Sequence, residues 1–154
     1  MRDSNLFGEV IAEALTTGTV VRFSAEGTSM YPTIRDGEVI TIAAVVPDDV
    51  VRGDVLLCRH DKRLLAHRVV HVTTRGPERV FRLRGDATAD CDAPVGADEV
   101  VGKVISVCRN GRVAPLCGRA ARLRYTVRRS ASGAKAFIYS WRSRRGASRA
   151  AFRV

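Results

Sequence analysis

Between Thr19 and Pro115 the chain is cut every few residues by turn chemistry, and this punctuation constrains the fold more than any other feature. Asp36-Gly37, Pro47-Asp48-Asp49, Arg52-Gly53-Asp54, Asp61-Lys62, Arg75-Gly76-Pro77 and Asn110-Gly111 separate runs rich in Val, Ile and Leu. The runs cover residues 19–23, 38–46, 55–60, 64–74, 79–84, 100–108 and 112–114, and they read as strands. Asn110-Gly111 is a strong hairpin signal, because a two-residue type I′ turn needs positive φ at both positions. There is no alternation of strands with helices and no internal repeat. The expected fold is mainly β, with twisted antiparallel sheets or a partly closed barrel.

One helix precedes this region. Leu6, Phe7, Val10, Ile11, Ala14 and Leu15 form a doubled stripe at helical spacing, with Glu9 and Glu13 off it. Ser4 is the expected cap, and Thr16-Thr17-Gly18 the expected stop. One connection is long: Gly85 to about Asp98 has little apolar content and carries Asp86, Asp90 and Asp92. A loop of that length inside a small domain is more often functional than idle.

Charge divides the chain. The net charge is +10, yet residues 116–154 hold eleven Lys/Arg and no Asp/Glu. Residues 1–115 carry fifteen basic against sixteen acidic side chains, so the basicity belongs to an extension and not to the body. That extension reads as a disordered or loosely docked arginine-rich tail, or as a patch for an anionic membrane with Phe137, Ile138, Tyr139 and Trp141 at the interface; nucleic acid is the rival partner. Three segments follow: an amphipathic helix over 1–18, a β domain over 19–115 and the arginine-rich extension over 116–154. Cys58, Cys91, Cys108 and Cys117 show no metal-binding spacing and read as free thiols of a reducing compartment. No run of about 18 apolar residues exists, and the N-terminal residues are too polar for a secretory signal. The expected location is cytoplasmic or peripheral to a membrane.

Three stretches carry reactive groups. Ser29 lies in Gly27-Thr28-Ser29-Met30-Tyr31-Pro32-Thr33, where Gly27 permits a sharp turn and Pro32 favours an extended Tyr31. That setting leaves the Ser29 N–H available to an oxyanion, with Gly27, Thr28 and Met30 as backbone support. His67 lies mid-strand among apolar residues that shield a Ser–His contact from water; His71 shares its face by alternation, and His60 ends the preceding strand. Asp92 and Asp86 are the candidate acids, with Asp90 behind them. Asp86, next to Gly85, also fits a turn aspartate bonded to local backbone. A serine, an imidazole and a carboxylate are the minimum set for acyl transfer through a covalent intermediate.

Gly27-Thr28-Ser29-Met30-x-Pro32-Thr33-Ile34, Asp36-Gly37-Glu38-Val39, Gly53-Asp54-Val55, His67-Arg68-Val69, Gly85-Asp86 and Val101-Gly102-Lys103-Val104 together resemble type I signal peptidases and the self-cleaving repressors of the same clan. The resemblance spans about residues 19–108. Bacterial members usually place a lysine before the arginine of the His67-Arg68 motif. His67 there is similar to the archaeal and endoplasmic-reticulum branch, and none of Lys62, Lys103 or Lys135 matches the lysine position. The resemblance implies a peptidase-like β domain with Ser29 as nucleophile, His67 as base, Asp92 as orienting acid and Asp86 in support. It needs no metal or organic cofactor, and its substrate is an extended peptide cleaved near small residues such as alanine. Two departures stand out: only the amphipathic helix occupies the place of a membrane anchor, and Gly27 replaces a serine whose hydroxyl helps hold the oxyanion in many members.

The expected function is therefore a serine endopeptidase, active as pH rises through roughly 6–8 because the base must be neutral. Its rivals are a non-catalytic module working through the arginine-rich tail, and a protease that processes only itself, for which Cys117-Gly118 is a candidate bond.

Overall fold

Helix α1 runs over Asp3–Thr16 in the structure, a computed structural model that describes residues 3–60 and 63–117. It starts at Asp3, so Ser4 lies inside the first turn and is not its cap. Its end is the expected one: Gly18 takes φ +79°, Gly18 N–H donates to Leu15 O and Thr19 N–H donates to Ala14 O. Those paired bonds satisfy carbonyls that the last turn leaves open. Ile11 and Leu15 are buried, while Leu6 and Val10 face solvent, so only part of the apolar stripe packs on the sheet. Gly102 lies beneath the helix. A Cβ there would stand 2.8 Å from Leu15 Cδ1, Ile42 Cγ2 and Ala43 O, which explains a glycine within a strand.

Eight strands follow: β1 (Val21–Ser24), β2 (Val39–Ala43), β3 (Val55–His60), β4 (Arg63–Arg75), β5 (Glu78–Arg84), β6 (Val95–Gly96), β7 (Val100–Arg109) and β8 (Arg112–Pro115). Single turns of 3₁₀ helix cover Pro47–Asp49 and Ala97–Glu99. All pairings are antiparallel, in the order β1-β2-β7-β3-β4-β5-β6, with β8 also paired to β7. The expected mainly β class is the observed one. The expected partial barrel is not: one sheet contains every described strand, and its end strands β1 and β6 do not pair. These ends are four and two residues long, too short to zip together around a barrel seam.

β3 lies between β4 and β7 and is buried on both faces from Val55 to Cys58. Val55 and Leu57 join a larger core with Ile11, Leu15, Met30, Ile34, Ile40, Ile42 and Val104. Leu56 and Cys58 join a second core with Val50, Val69, Phe81, Leu83 and Val95. One sheet thus serves two cores, and register shifts at Thr41/Ile42, Leu57/Cys58 and Val69/His71 mark where it bends.

The partners of β4 change along its length. Arg63 to Arg68 pair with β3, whereas Arg68 to Arg75 pair with β5. From Arg63 to His67, no described strand pairs with the edge opposite β3. That edge borders the site described next. Beyond the shift at Val69/His71 the strand runs into solvent, and His71 is exposed. The arginine-rich extension lies outside the described residues except for Leu116, which packs on the larger core, and Cys117. Among the described residues, no helix is long and apolar enough to cross a membrane.

Candidate active site

The Ser29 stretch belongs to the β1–β2 connection. Ala25, Met30 and Ile34 are all sunk in the larger core, so three apolar anchors bracket the serine. The base of the connection closes through Ala25 N–H to Glu38 O and Gly37 N–H to Ala25 O, both 2.8 Å. Past Ser29 the chain turns and does not run extended. Tyr31 N–H donates to Thr28 O, Ile34 N–H donates to Met30 O, and the Tyr31–Pro32 peptide is cis.

Ser29 Oγ lies 2.8 Å from His67 Nε2. On the other side of the ring, His67 Nδ1 lies 2.6 Å from Asp92 Oδ2. An ionised carboxylate only accepts hydrogen bonds, so Nδ1 carries the proton and Nε2 turns its lone pair to the serine hydroxyl. The His67 side chain is 6% exposed and that of Asp92 21%, and Ser29 is half-buried, so the imidazole is the shielded member between two partly exposed ones. His67 is fixed by its place opposite Leu56 in the β3–β4 ladder. Asp92 is fixed by its own N–H, which donates to Leu83 O at 2.9 Å.

The connection from Gly85 to Pro94 is held against Ser29. Ala87 N–H donates to Ser29 O at 2.8 Å. A Cβ at position 85 would lie 2.6 Å from Ser29 O and 3.1 Å from His67 Nε2, so only glycine lets the loop approach this closely.

Asp86 is the main correction to the expected site. It does not touch His67, and it is no mere turn residue. Arg68 Nε and Nη2 donate to its two oxygens at 2.7 and 2.6 Å, and Thr33 Oγ1 donates to Oδ2 at 2.5 Å. Arg68 Nη1 also donates to Gly53 O. Both charged side chains are almost fully buried, at 3% and 5% exposure. His67 and Arg68 point to opposite faces of β4, as neighbours in a strand must. One face receives Ser29 and Asp92, while the other fastens the loops that carry them. Arg68 escaped the reading as a functional residue; a charged residue inside the apolar run 64–70 was the signal that a partner existed.

The backbone support also needs revision. Gly27, at φ +106°, donates its N–H to Asp36 Oδ1 at 2.7 Å, which removes it as an oxyanion donor. Met30 is a core anchor, fully buried, and Thr28 is exposed. The Ser29 N–H finds no acceptor among the described residues and remains available beside the Ser29 hydroxyl.

Ser29, His67 and Asp92 open into a cleft of about 640 Å³ that His60, Arg63, Leu64, Leu65, Thr88, Ala89, Asp90 and Cys91 also line. Asp90 therefore borders the cleft without bonding the imidazole. The sequence reading did not assign this lining, although alternation through Arg63, Leu65 and His67 puts all three on one face. Cys58 is excluded from chemistry: burial, with the Glu99 and Asp92 charges adding to it, pushes its thiol far above the ordinary range. His71 lies beyond the bend, on the exposed part of β4. Lys103 is engaged elsewhere, 2.9 Å from the fully buried Asp54 carboxylate. Compared with known families and curated proteins, the chain matches no family model and no characterised sequence.

Proposed function

We propose that this chain is a serine endopeptidase whose acyl-enzyme forms on Ser29, with a mechanism like that of the Ser-His-Asp signal peptidases its motifs resemble. The observation that carries the reading is His67, bonded to Ser29 Oγ through one ring nitrogen and to Asp92 through the other. In the proposed reaction Ser29 Oγ attacks the scissile carbonyl while Nε2 takes its proton. Asp92 holds the tautomer and stabilises the imidazolium. The Ser29 N–H meets the oxyanion, His67 returns the proton to the leaving amine, and water attacks the ester by the same route.

The β4 edge from Arg63 to His67, which no described strand pairs, supports an extended peptide as substrate, added to the sheet as a further strand. The family likeness favours small residues such as alanine around the cleaved bond. The test is cleavage of fluorogenic peptides with an Ala-x-Ala core. Wild-type protein is expected to cut them, and Ser29→Ala to lose about 10⁴-fold or more in kcat. Equal cleavage by Ser29→Ala would refute the reading.

A further inference from the structure

We propose that Arg63 selects substrates, by pairing with an acidic side chain of the bound peptide about three to four residues from the cleaved bond. This rests on the peptidase reading and extends it to a substrate class. Arg63 is exposed, lines the same cleft as Ser29, and has no carboxylate within ion-pair distance among the described residues. It shares the His67 face of β4, with Leu65 between them. A strand advances about 3.3 Å per residue, so Arg63 stands about 13 Å along β4 from the base. A peptide laid on that edge spans the same distance in about four residues.

The charges in the cleft are sorted. Arg63 lies at the far end of the edge, on the β3–β4 hairpin, opposite His60 in the ladder. Asp92 lies at the other end, bonded to His67, and Asp90, two residues before it in the same loop, also lines the cleft. A carboxylate on the peptide is attracted at the far end and repelled close to the bond. The favoured substrate has neutral residues at the cut and an Asp or Glu near Arg63. Leu65, half-buried between the two ends, leaves an apolar wall for the residue between them.

The experiment walks a single Glu, then a single Lys, through every position of an alanine-and-serine peptide at low ionic strength. Cleavage by wild type, Arg63→Ala and Arg63→Glu is measured, and so is binding of the same labelled peptides to Ser29→Ala and to Ser29→Ala/Arg63→Glu by fluorescence anisotropy. Wild type is expected to favour Glu over Lys about threefold at one far position, and Arg63→Glu to reverse it, changing the ratio about tenfold. The bias is also expected to fade with added salt. Ser29-dependent cleavage with the same Glu/Lys ratio in wild type and Arg63→Glu would overturn the Arg63 assignment and leave the peptidase intact. A Glu bias in binding that Arg63→Glu reverses, without cleavage by wild type, would uphold the Arg63 contact and overturn the peptidase. Absence of both overturns both.

Discussion

Asp92→Asn keeps the size and shape of the side chain and removes its charge, so it separates orientation from bulk. The amide can offer an N–H to Nδ1, which turns the Nε2 proton toward Ser29 and leaves the serine without a base. The expected loss in kcat is about 10³–10⁴-fold with little change in KM; an unchanged kcat would remove Asp92 from the mechanism. Gly85→Ala tests packing around the same atoms. Its methyl would overlap Ser29 O at 2.6 Å, so the loop or the serine must shift, and a displacement near 1 Å costs about 10²-fold in rate. Retained activity in Gly85→Ala would show that the loop yields without moving the serine. Of the individual residues, Ser29 and His67 were legible from their motifs, and Asp92 was singled out from Asp86 only by the family resemblance. Spacing alone left Asp86 and Asp92 equivalent. What separates them is that Asp86 follows Gly85 directly and faces Arg68, whereas Asp92 returns to the β5 end through its bond to Leu83 O.

At the scale of elements, two ion pairs brace the β1–β2 connection that carries Ser29. Arg68 joins β4 to the loops of Thr33, Gly53 and Asp86, and Arg68→Ala would leave the Asp86 carboxylate buried without its charge partner, at a cost of about 3–5 kcal/mol. Thermal unfolding measures this directly, and a negligible shift would mean that water reaches Asp86. The second brace is Arg109 on β7, which pairs with Glu38 and donates to Pro32 O and Thr33 O. Burial pushes the Glu38 carboxyl up, but the Arg109 bond, the Arg35 N–H and the nearby guanidinium charges outweigh it, so Glu38 ionises below its ordinary 4.5. A lowered folded value means that the stabilisation is complete above about pH 4.5 and is lost as pH falls through the folded value. Screened by solvent at this partly exposed pair, Glu38→Gln is expected to cost about 1 kcal/mol at neutral pH and to flatten the acid limb of the stability curve; parallel wild-type and variant curves would contradict it. Most strands were legible from turn chemistry, and β3 was read at its observed ends, because Gly53-Asp54 and Asp61-Lys62 bound it. β6 was not, since two residues carry no periodicity and Val95 earns its place only by meeting Phe81 across the ladder.

For the whole molecule, the near-neutral body and the cationic extension make separable predictions. The extension is expected to draw the full chain to vesicles containing anionic lipid but not to neutral ones, with binding lost by about 0.5 M salt. Equal binding to both vesicle types in sedimentation would refute that role. The single unclosed sheet was not legible, because closure depends on whether the end strands meet, which no local pattern encodes. The central claim is that Ser29 is an activated nucleophile, and its most direct measurement is mass spectrometry after exposure to a fluorophosphonate. One adduct is expected, mapping to the peptide that contains Ser29, absent in Ser29→Ala and formed far more slowly in His67→Ala. No adduct on the wild-type protein, or labelling that persists unchanged in Ser29→Ala, would contradict it.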